Sequence, residues 1–354
     1  MNTVAAADHA IARLQHRLLH GPTQLRSGPH AGAVAGGVTA AGVPLYIYGE
    51  ITGYYLHWLA SMSTDEVTCG ANARAAQRWL GDYLTLQPWP PTRVHLASSE
   101  ADWRNDCLFA FDLAMIAGGL GRAAARRLIE LDADAVRQLE RLLLLFVDDG
   151  RLETVLSRAG TNPLPQRWST VGGPFTAKTA SRVLLLDRQF PLDTRLTDAC
   201  HATLAHYAAV VPDFPGEMLH PTLYALEGLL LAPEADMEEV ALALEPLLAL
   251  QTATGSLPET RGSDLLRNDV TAQALRLAIL LEHGLDEHGR YENSIQRLAT
   301  ALMVQVAEDG TIGFAAGRNE VRNTWCAMFA DQALRLYANR ERGEAVAVAG
   351  VDLA

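Results

Sequence analysis

The chain has 354 residues, 49% apolar and 20% charged, which excludes a disordered or fibrous protein and leaves ample material for a core. With 41 acidic against 29 basic residues the net charge is −12, and no dense Arg or Lys run interrupts it, so nucleic acid is excluded as an expected partner. No apolar run approaches the roughly 18 residues of a bilayer span and the first twenty residues lack an apolar core followed by a cleavage site, so the expectation is a soluble, cytoplasmic chain with no membrane partner.

In chain order, apolar periodicity and its punctuation predict helices near 4–20, 47–62, 70–86, 104–120, 132–147, 174–188, 194–210, 219–232, 236–250, 268–284, 291–307 and 323–338. Strand signals are confined to connections, at 148–152, 255–257 and 309–312. Every second helix, beginning near 49, 104, 173, 219, 268 and 323, is entered through a longer connection with Gly, Pro and aromatics. Six such helices alternating with six amphipathic ones predict an all-α chain, an (α/α)6 barrel of about twelve helices in inner and outer rings. The expected organisation is one domain over 1–340 and a tail over 341–354.

One tripeptide supports a repeat. Arg104-Asn105-Asp106, Arg267-Asn268-Asp269 and Arg322-Asn323-Thr324 each precede an apolar stretch; the last two copies lie 55 residues apart and the first two 163, close to three such units. A period of that length suits a helical hairpin with its connections. Asn and Asp accept hydrogen bonds from the unpaired N–H groups of a helix's first turn, so each copy is expected to start a helix. Capping alone explains the residue types; a shared cavity rim is the functional alternative.

Inner helices are surrounded by neighbours, so their polar residues must be partnered or face the central cavity. Glu50, Tyr54 and His57 follow the i, i+4, i+7 spacing of one helix face, as do His220, Tyr224 and Glu227, and Asp269, Gln273 and Arg276. If the rings were exchanged these stripes would be ordinary solvent faces. Lys178 is the single lysine among the 29 basic residues. An amine can lose its proton on burial or beside another cation, which a guanidinium effectively cannot; Lys178 is therefore a candidate general base, imine-forming amine or carboxylate anchor.

Aromatics cluster in or beside the long connections, among them Tyr48, Trp168, Phe175 and Trp325, and flat aromatic faces with convergent carboxylates suit a sugar. Core packing is the alternative for each. The cysteines at 69, 107, 200 and 326 are widely separated, giving reduced thiols as the expectation and no metal-ligand spacing beyond the adjacent Cys200-His201 pair.

The segment Tyr48-Gly49-Glu50-Ile51-Thr52-Gly53-Tyr54 resembles the Tyr-Pro-Glu-Val-Thr-Gly-Tyr segment of six-hairpin glycosidase proteins, with Gly49 in place of proline. His220-Pro221 followed by Glu227-Gly228 resembles a His-Pro helix of N-acylglucosamine 2-epimerases, the spacing to the glutamate differing by one residue. Phe175–Lys178 and the Ala-Gln-Ala-Leu run at 272–275 are similar to inner helices of this class, which also takes in glucuronyl C5-epimerase-like proteins. The resemblance covers about residues 30 to 340 as architecture.

It implies an enzyme acting on a small-molecule or oligosaccharide substrate, as epimerase, isomerase, hydrolase or lyase of sugars or uronic acids; no cofactor or metal is expected, since the sequence has no P-loop, dinucleotide fingerprint or Cys-Cys-His site. The candidate catalytic residues are Glu50, Asp106, Lys178, His220 and Asp269. Epimerisation would use His220 with Lys178 or Glu50; hydrolysis would use two carboxylates, Asp106 with Asp269. Tyr48, Tyr54, Arg104, Trp168, Tyr224, Glu227, Arg267, Gln273, Arg322 and Trp325 are the expected substrate contacts. Two alternatives stay open. Gln251 with Gly255 and Gln305 with Gly310 resemble degenerate turns of terpenoid or prenyl cyclases, although DDxxD and DxDD motifs are missing; a non-catalytic helical-repeat binding module is the other.

Overall fold

Two kinds of helix alternate along the chain because two kinds of sequence do. The outer kind carries one apolar stripe: in Ala133–Leu144 the buried residues are Ala135, Val136, Leu139, Leu142 and Leu143, one face of a 3.6-residue period. The inner kind is buried nearly all round, and Gly49–Ala60 buries every residue except Glu50. The computed structural model describes residues 3–62, 66–96, 101–158, 163–211, 214, 217–232, 235–344 and 346.

The outer helices are α1 (Thr3–His20), α3 (Glu66–Leu84), α5 (Ala133–Leu144), α8 (Thr194–Ala208), α10 (Met237–Leu248) and α12 (Glu292–Gln305). The inner helices are α2 (Gly49–Ala60), α4 (Ala110–Ala125), α7 (Thr176–Asp187), α9 (Leu219–Leu229), α11 (Asn268–Gly284) and α13 (Thr324–Glu341). A single turn, α6 (Trp168–Val171), lies in the connection before α7. Each inner helix packs on the next and α13 returns to α2, so the ring closes as an (α/α)6 barrel. That order sets α2 opposite α9, α4 opposite α11 and α7 opposite α13. Glycines let inner helices touch: a Cβ on Gly53 of α2 would stand 2.5 Å from the Met115 carbonyl oxygen of α4.

The connections carry more strand than the sequence signals. A five-stranded antiparallel sheet runs β3 (Arg93–His95), β2 (Pro44–Tyr48), β1 (Ala35–Thr39), β9 (Arg318–Asn323), β8 (Gly313–Ala315). The β1–β9 register, Gly37 with Asn323 and Val38 with Arg322, ties the entry to α2 to the entry to α13 and fastens the ring. Two small pairs, β4 (Cys107–Phe109) with β7 (Val155–Ser157) and β5 (Val147–Asp148) with β6 (Arg151–Leu152), lie in other connections. All four cysteines are buried and free. Among the described residues no helix is long and apolar enough to cross a membrane.

The tripeptide does not start three helices. Trp103–Asp106 is a 3-10 turn capped by Asp102, Cys107–Phe109 then pairs with β7, and α4 begins only at Ala110. The ladder takes up the backbone groups that a helix would need. Asn105 instead holds β3, accepting from the Arg93 N–H at 2.9 Å and donating to the Arg93 carbonyl at 2.8 Å. In the second copy Arg267 is the N-cap residue and makes no side-chain cap. Only the third copy caps: Asn323 accepts from the Cys326 N–H at 2.9 Å.

Candidate active site

The N-terminal ends of the inner helices surround a cavity of about 180 Å³. Outer helices α5, α8 and α10 are capped by Asp132, Asp193 and Asp236. The cap positions of α2, α4, α7, α9 and α11 hold Tyr48, Phe109, Phe175, Met218 and Arg267, none of which makes a side-chain cap. Four of these five side chains line the cavity instead, all but Met218. A position that ordinarily stabilises a helix end is given over to the cavity wall.

Members of the polar stripes, Glu50 and Tyr54, His220, Tyr224 and Glu227, and Gln273 and Arg276, line the cavity or meet side chains of other inner helices in layers. In the upper layer Glu50 and His220 line the cavity from opposite helices. One turn below, the hydroxyls of Tyr54 and Tyr224 meet at 3.0 Å and form the floor. Beneath it Lys178 Nζ lies 4.3 Å from the Tyr224 ring centroid and 2.6 Å from Glu227, which also pairs with Arg276. Lys178, Glu227 and Arg276 are fully buried.

On the α2–α4 side, the Tyr48 hydroxyl stands 3.2 Å from both carboxyl oxygens of Asp112. Burial pushes Glu50 up to about 7, against the pull of Tyr48, Arg93 and Lys178. Burial, reinforced by the charge of Glu50, pushes Asp112 well above the usual carboxylate range. Two neighbouring carboxyls that cannot both ionise cheaply retain a proton near neutrality. Arg93 stacks over Tyr46 and Tyr48, 4.8 and 5.4 Å from the ring centroids.

On the α9–α11 side, His220 Nδ1 lies 2.7 Å from Gln273 Oε1. A glutamine carbonyl oxygen only accepts, so Nδ1 carries the proton and Nε2 holds the lone pair. Burial, with the Arg267 charge, lowers His220 to about 3, so the ring is neutral at ordinary pH. Asp269 Oδ2 stands 3.8 Å from Nδ1. Burial alone would raise Asp269, but Arg267, at 3.0 and 2.6 Å, and His220 outweigh it with help from the Trp325 indole N–H at 3.1 Å; the carboxyl falls to about 2. Trp168 closes the aromatic wall, 4.9 Å from Phe175 and 5.8 Å from His220 between ring centroids.

Of the expected site residues, Tyr48, Glu50, Arg104, Trp168, His220, Tyr224, Arg267 and Trp325 come together around the cavity. Asp269 and Gln273 stand behind His220, fully buried, as its supports. Tyr54 is in the floor; Lys178 and Glu227 lie under it. Lys178 and Glu227 are thereby kept from the cavity by the floor, and two further expected residues lie away from it altogether. Asp106 does not reach the cavity: its side chain is 52% exposed and pairs with Arg158 at 3.8 Å, because α4 starts later than the tripeptide implies. Arg322 is held on β9 beside Val38, away from the cavity.

Sequence reasoning missed Asp112 and Arg93. Asp112 had a signal, being the only acidic residue of an apolar, glycine-rich helix. Arg93 had none, since it reaches the cavity only through the pairing of β3 with β2.

No family model matches the sequence, and no curated protein does. Solved structures do match in fold. A D-mannose isomerase aligns with a TM-score of 0.70 at 11% identity, over 94% of this chain and 97% of its own. The cellobiose 2-epimerase of Spirochaeta thermophila DSM 6192 aligns at 0.66 and 16% identity, over 96% and 98%. An unsaturated glucuronyl hydrolase specific for heparin aligns at 0.66 and 11% identity, over 96% and 98%. The chain shares the (α/α)6-barrel fold of these structures.

Proposed function

We propose that this chain is a carbohydrate-active enzyme that isomerises or epimerises a single sugar unit by proton transfer. One observation carries the reading: a neutral histidine, His220, faces a proton-retaining carboxyl pair, Glu50 and Asp112, across a cavity floored by Tyr54 and Tyr224. General acid–base chemistry needs a base and an acid whose proton affinities are pushed apart in this way.

In an open-chain aldose, Nε2 of His220 takes the proton from C2 while the carboxyl pair gives its proton to O1, forming an enediol. Return of a proton to C1, with the carboxyl pair taking the O2 proton, gives the ketose; return to the opposite face of C2, with the O1 proton going back to the carboxyl pair, gives the epimer. Asp269, held by Arg267 and Trp325, orients the imidazole and favours the imidazolium that forms. Hydrolysis by Asp106 and Asp269 is not supported by their placement. The other reading, a cyclase cavity for a prenyl cation, fits poorly with a lining that includes Arg93, Arg104, Arg167 and Arg267.

Those guanidiniums favour a sugar bearing an acidic group. Arg93 in particular has no acidic side chain within ion-pair distance among the described residues. The mannose isomerase, cellobiose epimerase and glucuronyl hydrolase of like fold support a sugar as the substrate class.

The test is deuterium wash-in at C2 of neutral aldoses and of uronic acids incubated in D2O with the purified protein. Exchange is expected with wild type and lost in His220→Asn, while Arg93→Ala raises KM for the acidic sugar more than for the neutral one. Absence of exchange across both sugar classes would sink the reading.

A further inference from the structure

We propose that the closed half of the barrel, below the tyrosine floor, binds a monovalent inorganic anion of the size of chloride on Arg182. This site is separate from the cavity, and the inference does not depend on the sugar reading. Arg182 lies on α7 one turn beyond Lys178 and is 1% exposed. Its Nε and both terminal nitrogens are buried with no hydrogen-bond partner among the described residues. Thr179 Oγ1, on the preceding turn of the same helix, is likewise buried and unpartnered among them. A guanidinium carries five N–H donors and cannot shed its charge, so leaving it dry and unmatched is among the costliest arrangements a core can contain.

The surrounding charges do not match it. Lys178, Arg182 and Arg276 share the layer with one carboxylate, Glu227, and Glu227 is already bonded to Lys178 and Arg276. Arg122 adds a further positive charge from α4. The positive excess in this layer calls for an anion rather than for water alone. Space for Arg182 is built in: a Cβ on Gly118 of α4 would fall 2.9 Å from Arg182 Cδ. With α4 and α7 in backbone contact at Gly121, where a Cβ would fall 2.6 Å from the Leu185 carbonyl oxygen, a single-atom anion fits the chemistry better than an oxyanion. Thr179 would donate its hydroxyl to the same ion.

The experiment compares thermal melting of the full chain in sodium chloride and in sodium gluconate at equal ionic strength. Above the dissociation constant, the melting temperature should rise by roughly 2 °C for each tenfold increase in chloride for a chain of this length. Arg182→Met should lose that dependence, while Arg93→Ala keeps it, which separates this site from the cavity arginines. Crystals grown in bromide should show an anomalous peak beside the Arg182 guanidinium. Identical melting in the two salts, or water alone at Arg182 in the bromide crystal, overturns the proposal, and both readouts use wild type, so they hold even if the methionine variant fails to fold.

Discussion

The hydroxyls of Tyr54 and Tyr224 stand 3.0 Å apart where α2 and α9 face one another across the barrel. Each tyrosine is four residues beyond a polar cavity residue, Glu50 on α2 and His220 on α9, so one contact fixes the height of both. It also separates the cavity from the ionic layer of Lys178, Glu227 and Arg276. Tyr54→Phe or Tyr224→Phe should each cost about 1–3 kcal/mol, since each strands the partner hydroxyl in the core. The double variant should cost less than the sum, a coupling that urea unfolding of the four-protein cycle measures.

Glu50 links activity and stability to pH. As part of the proton donor it must be protonated, so kcat should fall as pH rises through about 7, and Glu50→Gln should remove that limb along with most of the rate. The stability sign follows from its raised folded value: the folded state holds the proton more tightly, so the contribution is complete below 4.5 and is lost as pH rises through about 7. Chemical denaturation from pH 4 to 8 should show a smaller decline in Glu50→Gln than in wild type. An unchanged decline would remove Glu50 from this role.

Asp112 and Asp106 provide an opposed pair. Asp112→Asn alters the carboxyl pair in the cavity and should lower kcat by about 10² to 10⁴. Asp106→Asn alters only an exposed contact to Arg158 and should leave kcat and melting almost untouched, as surface substitutions do. Steady-state kinetics of the two variants reverses the order that the tripeptide alone would suggest.

Lys178 and Glu227 should also behave unequally. Burial lowers Lys178 to about 7, with Arg182 and Arg276 adding to it and Glu227 opposing. Glu227→Gln leaves those cations without a carboxylate and should destabilise by roughly 3–5 kcal/mol. Lys178→Met leaves Glu227 paired with Arg276 and should cost less, with turnover retained because Lys178 lies under the floor. Urea unfolding at pH 7 and an initial-rate assay distinguish the two.

Much of the site was legible from spacing. Inner helices have no solvent face to accept a polar stripe, so Glu50 and Tyr54 of α2 and His220, Tyr224 and Glu227 of α9 line the cavity or meet partners on other inner helices. The tripeptide misled because Arg104, Asn105 and Asp106 spend their polar groups on a capped turn and on β3, while a ladder delays α4. Asp112 could have been found by asking which carboxylate interrupts an apolar helix.

By itself the sequence determined the helices, their alternation and which faces are apolar, because these follow from local periodicity and side-chain chemistry. Only the tertiary structure decided that Glu50 faces His220, that Asp112 joins Tyr48, and that Lys178 sits beneath the floor. Those relations depend on the order in which six helices close into a ring and on the register of a sheet built from distant connections. Proton affinities follow from the same closure, because burial and neighbouring charge, not residue type, move Glu50 up and His220 down.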